Sequence, residues 1–443
     1  SIQNFVEDFY DSHNLAYLLL VGDITQIPSK NYGGGESDIW YAYLSGNDSY
    51  PEFFVGRFSA ENTSHVDTQV QRSIEYERDP QLGASWYSKG VVIGSSEGAG
   101  YGDDGEADWQ HARNMRTDLL DYTYSSVDEF YDGSHGGSDA SGNPNSTSLK
   151  NALNDGRSML HYTGHGDVTV VVTTGFNTSN VNSLTNTDEL PFVCTVGCVT
   201  GDFAGYNCLG ESFQRATHNG EPSGGIASFM STIYQSWAPP MSAQDEMVDI
   251  LVESYSNNRK VTFGGVSFNG CLKMNDEYGN EGDNETDHWI IFGDPSVVLR
   301  TDSPSEIAAN HGGSIEIGAT SYSVQINGGS DFLLAALSKD GEFLGAAYTD
   351  DSGTAEIEIE GSFESDDDLL LTVTGYNTTT IIESVSVGNS CGDWLSGDAN
   401  GDDVNNILDV IQLVNFVLDS DGASDCQFNS LDLNNDDVLN IMD

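Results

Sequence analysis

Two short apolar runs constrain the fold of this chain more than any other feature. The first reads Ser158-Met159-Leu160-His161-Tyr162-Thr163-Gly164-His165-Gly166, the second Leu190-Pro191-Phe192-Val193-Cys194-Thr195-Val196-Gly197-Cys198. Both are rich in β-forming residues, lack polar alternation and are bounded by glycine, which suits a strand of a parallel sheet buried on both faces better than a helix. Each run also ends in a residue that can do chemistry, His165 in one and Cys198 in the other.

Ligands of open α/β sheets bind outside the carboxyl ends of the strands. A His leaving one strand and a Cys leaving a neighbour would therefore meet at the same rim. A free thiol, with a pKa of ~8.5, is mostly protonated at neutral pH and needs a base or a cation beside it to become a nucleophile. The N–H groups of Gly166 and Cys198 would face that rim as donors to a developing oxyanion. His161 and Cys194 compete for the same roles. Both lie inside the apolar runs, where a side chain faces the core or a covering helix, and a buried Cys usually serves as a small hydrophobe. The rim residues are therefore preferred.

At 443 residues the chain is too long for one ordinary domain and is expected to hold two to four. Its 70 acidic residues against 15 basic ones give a net charge of −55. That balance disfavours nucleic acid and anionic membrane as partners, draws in cationic substrates and metal cations, and suits high salt, where self-repulsion is screened. No apolar run approaches the ~20 residues needed to span a bilayer, and no signal peptide is read. The abrupt start at Ser1-Ile2-Gln3-Asn4-Phe5-Val6, inside an amphipathic pattern, suggests a processed or trimmed piece of a longer precursor. Sequons at Asn47, Asn62, Asn145, Asn177, Asn284 and Asn377 add only slight support for export, because Asn, Ser and Thr are abundant. Cys194, Cys198, Cys208 and Cys271 lack metal-type spacing, whereas Cys391 and Cys426 flank a helical segment and look like a disulfide of an exported module.

Residues 1–302 alternate apolar strands with amphipathic helices, the signature of a largely parallel sheet with helices on both faces. Strands are expected at Leu15 to Val21, Phe53 to Arg57, Gly90 to Gly94, Ile226 to Met230 and near Trp289 to Phe292, besides the two runs above. Helices are expected at Glu61 to Tyr76, Ala107 to Leu120, Leu209 to His218 and Ser242 to Tyr255. From Ser303 the helical period gives way to period-two alternation, as in Ser323-Val324-Gln325-Ile326 and Glu356-Ile357-Glu358-Ile359. Residues 303–388 therefore read as a β-sandwich of immunoglobulin-like type.

Residues 389–443 carry two Asp- and Asn-rich loops. In the first, Asp398, Asn400, Asp402 and Asp409 fall at positions 1, 3, 5 and 12; in the second, Asp432, Asn434, Asp436 and Asp443 repeat the spacing. Side-chain oxygens so spaced can wrap a hard cation, and Ca²⁺ is the expected structural ion. Asp replaces the usual Glu at position 12, and Asp403 and Asp437 stand where Gly is normal at position 6. Between the loops, Ile407 to Leu418 suits an amphipathic helix with an apolar partner.

Several unusual blocks in the first three hundred residues recur together in one known family. They are Leu19-Leu20-Val21-Gly22-Asp23, Gly46-Asn47-Asp48-Ser49-Tyr50-Pro51, Val55-Gly56-Arg57-Phe58-Ser59, Tyr162-Thr163-Gly164-His165-Gly166, Gly197-Cys198-Val199-Thr200-Gly201-Asp202-Phe203, Gln235-Ser236-Trp237-Ala238-Pro239-Pro240-Met241 and Gln244-Asp245-Glu246-Met247. In these blocks the chain resembles the gingipains, cysteine peptidases of the caspase-like clan, and the gingipain R branch in particular. The sandwich resembles the immunoglobulin-like domain that follows in that family, and the tail resembles a type I dockerin module. The resemblance implies Cys198 as nucleophile, His165 as its acid/base partner and Glu97 as the acid that orients His165. It also implies Asp108 at the floor of the pocket for the residue before the scissile bond (P1), with Trp237 and Met241 as apolar walls.

The departures from the family are specific. Its catalytic domain begins earlier, so an N-terminal strand and helix are missing or belong to a separate fragment of the same precursor. Gly197 replaces the Ala that commonly precedes the nucleophile, and Asp167 to Val172 lacks a Trp. The second dockerin-like loop ends at Asp443, without its following helix.

These features together imply an extracellular cysteine endopeptidase that cleaves after Arg, with Lys as the second choice, without an organic cofactor and with a cohesin-like partner for the tail. The alternative is a catalytically inactive extracellular adhesion or scaffold protein that uses the sandwich and the Ca²⁺ module. A peptidase-like fold used for transpeptidation is a third reading.

Overall fold

The computed structural model describes residues 1–255, 259–329, 333–364, 367–388, 395–400, 404–418, 423, 425–434 and 439–440, with only the main chain at 425, 426 and 429. The chain divides into two compact units. One holds Ser1–Ser305 with the loop Tyr376–Thr379, the other Glu306–Gly375 with Thr380–Asp443.

The first unit is built on an eight-stranded sheet. Its strands are β1 (Tyr17–Val21), β2 (Phe54–Phe58), β3 (Lys89–Gly94), β4 (Ser126–Tyr131), β5 (Met159–Thr163), β6 (Phe192–Val196), β7 (Ala227–Ser231) and β8 (Trp289–Phe292). They lie in the order β1-β2-β8-β7-β6-β5-β3-β4. Every pairing is parallel except that of β7 with β8. Strands β3, β5, β6 and β7 are thus consecutive neighbours pointing the same way.

Both faces of this sheet are covered, and alternate side chains of each strand feed two separate cores. Val92, Met159, Phe192, Cys194 and Phe229 pack with residues of helices α3 (Asp108–Tyr122), α7 (Ala238–Leu251) and α8 (Phe263–Tyr278). Val91, Ile93, Leu160, Tyr162 and Val193 face the other way, toward α4 (Ser146–Asn154), α5 (Thr178–Val181) and α6 (Leu209–Arg215). Burial on both sides is why β5 and β6 read as continuous apolar runs. The unit also holds helices α1 (Ile2–Ser12), α2 (Thr63–Arg78) and α9 (Asn280–Asp287), the second capped by the Asn62 side chain, which accepts from His65 N at 3.1 Å.

Some expected elements shift, and others had no signal in the sequence. Helix α6 stops at Arg215 instead of His218, because Thr217–His218 pairs in a hairpin with Glu221–Pro222. Helix α7 starts at Ala238 rather than Ser242, with Pro239 and Pro240 in its first turn, where the missing N–H groups cost nothing. Helix α8 was not expected, since Gly264, Gly265 and Gly270 weaken helix propensity. Tight packing explains two of them: a Cβ on Gly270 would meet Ala243 O at 2.5 Å, and one on Gly264 would meet Phe54 Cβ and Pro295 O at 2.9 Å. Strand β4 was also missed. It is an edge strand, and Asp128 and Glu129 break its apolar pattern.

In the second unit a three-stranded sheet of Ile307–Asn310, Ser321–Gly328 and Thr354–Glu358 accompanies a five-stranded one. Alternating residues such as Val324, Ile326, Leu337, Ile357, Leu371 and Val373 fill the core. In the tail, the helix Ile407–Leu418 forms as expected; Val410 and Leu413 line a depression with Leu431 and Leu433, while Ile407, Leu408, Ile411 and Leu418 are exposed. No helix among the described residues is long and apolar enough to cross a membrane.

Candidate active site

Four neighbouring parallel strands deliver their following residues to one rim. Ser95 and Glu97 follow β3, Gly164 to Gly166 follow β5, Gly197 and Cys198 follow β6, and Gln235 to Trp237 follow β7. The register brings Val196 opposite Thr163, and Gly164 N donates to Val196 O at 3.0 Å. The two chains then stay together. A Cβ on Gly166 would lie 2.7 Å from Cys198 O and 3.0 Å from Cys198 N, so only glycine permits that approach. Directly after the cysteine, Val199 has φ of 49°, an unusual value for a β-branched residue, and its N–H donates to Ile233 O at 2.8 Å. The cysteine therefore sits on a sharp turn held against the segment after β7.

Cys198 is partly buried and lines a depression with Gly164, Val196, Gly197, Gln235, Ser236 and Trp237. Burial pushes its thiol above the usual value, while hydrogen bonding with the main chain at Gln235, Gly166 and Cys198 itself pulls the other way. The Glu285 carboxylate adds to the upward shift. His165 presents Nε2 to Glu97 Oε1 at 3.2 Å, and its ring meets the Trp237 ring edge-on with centroids 5.0 Å apart. No hydrogen bond joins the Cys198 sulfur to either nitrogen of His165. The His165 and Glu97 side chains are 55% and 36% exposed, so their contact orients more than it stabilises. The backbone beneath is firmer, since Tyr162 Oη donates to His165 O at 2.6 Å and Val172 N donates to the same oxygen at 2.9 Å.

Asp108 opens helix α3 and is almost wholly buried. Its Oδ2 accepts from Ser95 Oγ at 2.5 Å and its Oδ1 from Trp237 Nε1 at 2.8 Å. Burial raises its pKa, and the Ser95 and Trp237 donors counter that shift. Met241 is fully buried and lies against Gly102, in the loop leading to Asp108. Cys198, His165, Glu97, Gly166, Asp108 and Trp237 thus share one rim.

His161 and Cys194 point into the core, as their positions within the runs suggested. Cys194 Sγ lies 3.9 Å from Met247 Sδ, and burial holds its thiol far from ionisation, up to about 12. His161 is driven down to about 3, also chiefly by burial. Other contributors were not singled out from the sequence. Gln235 Oε1 accepts from Gly197 N at 2.8 Å, and the buried Glu285 accepts from both N and Oγ of Ser236 at 2.8 Å. Gln235 does fall inside a recognisable block, but nothing in one sequence tells a support from a spacer.

In the tail, Asp398 is buried in the loop and Asp409 in the first turn of the helix Ile407–Leu418. Asp409 Oδ1 accepts from Ala399 N at 2.9 Å and Oδ2 from Asn406 N at 2.8 Å, and these donors hold its carboxyl below the usual range. Asp432 is buried and Asn434 exposed. Asp402, Asp436, Asp443, Cys391 and the Cys426 side chain lie outside the described residues. Among the described residues no three His, Cys, Asp or Glu side chains assemble as a metal-holding cluster.

Residues 1–300 match the model of peptidase family C25, and residues 311–388 match that of the immunoglobulin-like C-terminal domain of the same family. Gingipain R2 of Porphyromonas gingivalis is 40% identical over 401 residues, covering 89% of this chain and 52% of that protein. Gingipain R1 of the same species is 39% identical over 391 residues, covering 87% of this chain and 38% of the relative. The chain thus spans about half the length, or less, of the curated relatives it matches. The crystal structure of the Arg-specific cysteine proteinase gingipain R superposes with a TM-score of 0.82 at 39% identity, covering 87% of this chain and 88% of that one. The mostly parallel α/β unit with a β-domain after it is the gingipain-like, caspase-type fold. From residue 1 to 300 in sequence, and through the fold of the whole first unit, this chain belongs to peptidase family C25.

Proposed function

We propose that this chain is a secreted cysteine endopeptidase that cleaves after Arg, with Cys198 as nucleophile and His165 as acid/base. One observation carries the reading: parallel neighbours β5 and β6 end in register, so the residues after them share a rim with Glu97, Asp108 and Trp237. The family and the names of its Arg-specific relatives agree with it.

In this reading His165 takes the thiol proton as sulfur attacks the scissile carbonyl carbon. The main-chain amides near Cys198 then receive the developing oxyanion. Protonated His165 gives its proton to the leaving amine as the C–N bond breaks, which leaves a thioester. Water, losing a proton to His165, attacks that thioester and releases the carboxylate and the thiol. Asp108 would take the P1 guanidinium, pairing more strongly with planar Arg than with Lys, while Trp237 covers the aliphatic stem and the buried Met241 backs the pocket from behind Gly102. Activity profiling across P1 residues, with the wild type and Cys198→Ala, tests this. Loss of Arg cleavage in the variant is expected, and its retention refutes the assignment.

Three further readings belong to the same proposal. The two tail loops, Asp398 to Asp409 and Asp432 to Asp443, bind Ca²⁺ in a dockerin-like module that docks on a cohesin-like partner. Asp398 and Asp409 are both buried, the one in the loop and the other in the helix turn to which Ala399 N donates, and this approach of two carboxylates favours a cation there. Cys391 and Cys426 form its disulfide. A separate N-terminal fragment pairs with the catalytic unit, in line with the solved complex of pro- and mature domains of a relative.

A further inference from the structure

We propose that His111, one helical turn after Asp108, is a positioning residue for the substrate pocket: bonded through both ring nitrogens, it ties the start of α3 to α7 and β5.

The hydrogen-bond pattern fixes its chemistry. Gln244 Nε2 donates to Tyr162 O at 3.2 Å, and a main-chain carbonyl can only accept. The amide is therefore oriented with Nε2 toward Tyr162 O and Cys194 Sγ, and with Oε1 toward Thr163 Oγ1 at 2.7 Å and His111 Nε2 at 3.1 Å. His111 Nε2 must then carry a hydrogen. At the opposite side of the ring, Nδ1 lies 2.7 Å from Glu106 Oε1, a carboxylate and hence an acceptor. Both nitrogens donate, so the ring is an imidazolium, although His111 has no exposed surface.

Burial opposes this charge, but the bond to Glu106, the charges of Glu106 and Asp245 and the bond to Gln244 outweigh it and raise the pKa. The titratable groups around the ring are Glu106 from the loop before α3, Asp245 from α7, Asp108 from its own helix and His161 from β5. Three of them are acids. His161 is held neutral by burial and by His111 itself.

The consequence for the site is mechanical as well as electrostatic. Gln244 is fully buried on α7, the helix that starts beside Trp237 and carries Met241. Through Thr163 and Tyr162 it grips the last two residues of β5, immediately before the loop with His165. His111 extends that grip to α3, whose first residue is Asp108. One buried cation thus links the pocket floor, the pocket wall and the strand behind the general base, and its positive charge also lowers the pKa of Asp108. Deprotonation would remove one of the two donors and free α3 from either Glu106 or Gln244.

The inference rests on the peptidase reading, and its test separates the two. The measurements are kcat and KM for an Arg-terminated fluorogenic peptide between pH 6 and 9, and in parallel the alkylation rate of Cys198 by iodoacetamide, which has no P1 side chain. His111→Gln is expected to raise KM by about tenfold or more, on the scale of a small misplacement of binding groups, with alkylation changed less than about twofold. Glu106→Gln keeps the shape, removes the anion that holds the proton, and is expected to move the alkaline rise in KM down by about one pH unit. An unchanged KM and pH profile in both variants overturns the proposal. So does alkylation that slows as much as cleavage, because the residue then supports the whole domain. If instead Cys198→Ala retains full activity, the peptidase reading itself falls and this inference with it.

Discussion

The indole Nε1–H of Trp237 donates to Asp108 Oδ1 at 2.8 Å. The carboxylate that would hold a P1 guanidinium is thus already engaged by the residue proposed as its pocket wall, and Ser95 holds the other oxygen. A substrate must bring donors good enough to share or replace these bonds. A planar guanidinium with several N–H groups does so better than a neutral side chain.

Asp108→Asn should therefore act on specificity rather than on the nucleophile. Losing one charged hydrogen-bond partner costs about 3 kcal/mol, or a factor of about 100 in kcat/KM for Arg substrates. Steady-state kinetics on matched Arg and Leu peptides checks this. A uniform loss across P1 residues would contradict the pocket role.

The thiols offer a second contrast. Cys198→Ala should abolish peptide cleavage. Cys194→Ala should leave it intact and cost about 1 kcal/mol of stability, because it removes a small buried group packed on Met247. Peptidase assays and urea unfolding on the two variants separate the roles.

A third expectation concerns pH. Burial raises the Cys198 pKa, and no hydrogen bond links its sulfur to His165. A raised thiol pKa means that thiolate is scarce below it and appears as pH rises through it. Iodoacetamide alkylation without substrate should accordingly accelerate from neutral into alkaline pH. A rate already at its plateau in mild acid would show a preformed thiolate–imidazolium pair instead.

Stability away from the site should hinge on Arg57, which is fully buried and bonds Asp38 through two nitrogens at 2.6 Å. Asp38→Ala leaves that cation unpaired, at a cost of about 3–5 kcal/mol. Denaturant titration of the variant measures it, and a change below about 1 kcal/mol would mean that water or another acid compensates.

Much of the frame was legible because it follows from short-range pattern. Strands β5 and β6 read as apolar runs because both of their faces are covered, and the same burial separates His161 and Cys194 from the rim residues. Helix α8 was illegible for the opposite reason. Its glycines look like breakers, and only the approach of Ala243 to Gly270 and of Phe54 and Pro295 to Gly264 explains two of them. The supports of the site were hidden in a different way. Gln244, Ser95 and Glu285 act on residues distant in sequence, and their polar side chains carry no periodic signal. Asp108 needed the family resemblance to stand out among 70 acidic residues.

The most direct test of the shared rim is mass spectrometry of the protein after exposure to an Arg-based chloromethyl ketone. The expected result is a single adduct on Cys198, lost in His165→Ala and much slower in Asp108→Asn. An adduct on Cys194, Cys208 or Cys271, or unmodified Cys198 in a preparation that still cleaves after Arg, would contradict it.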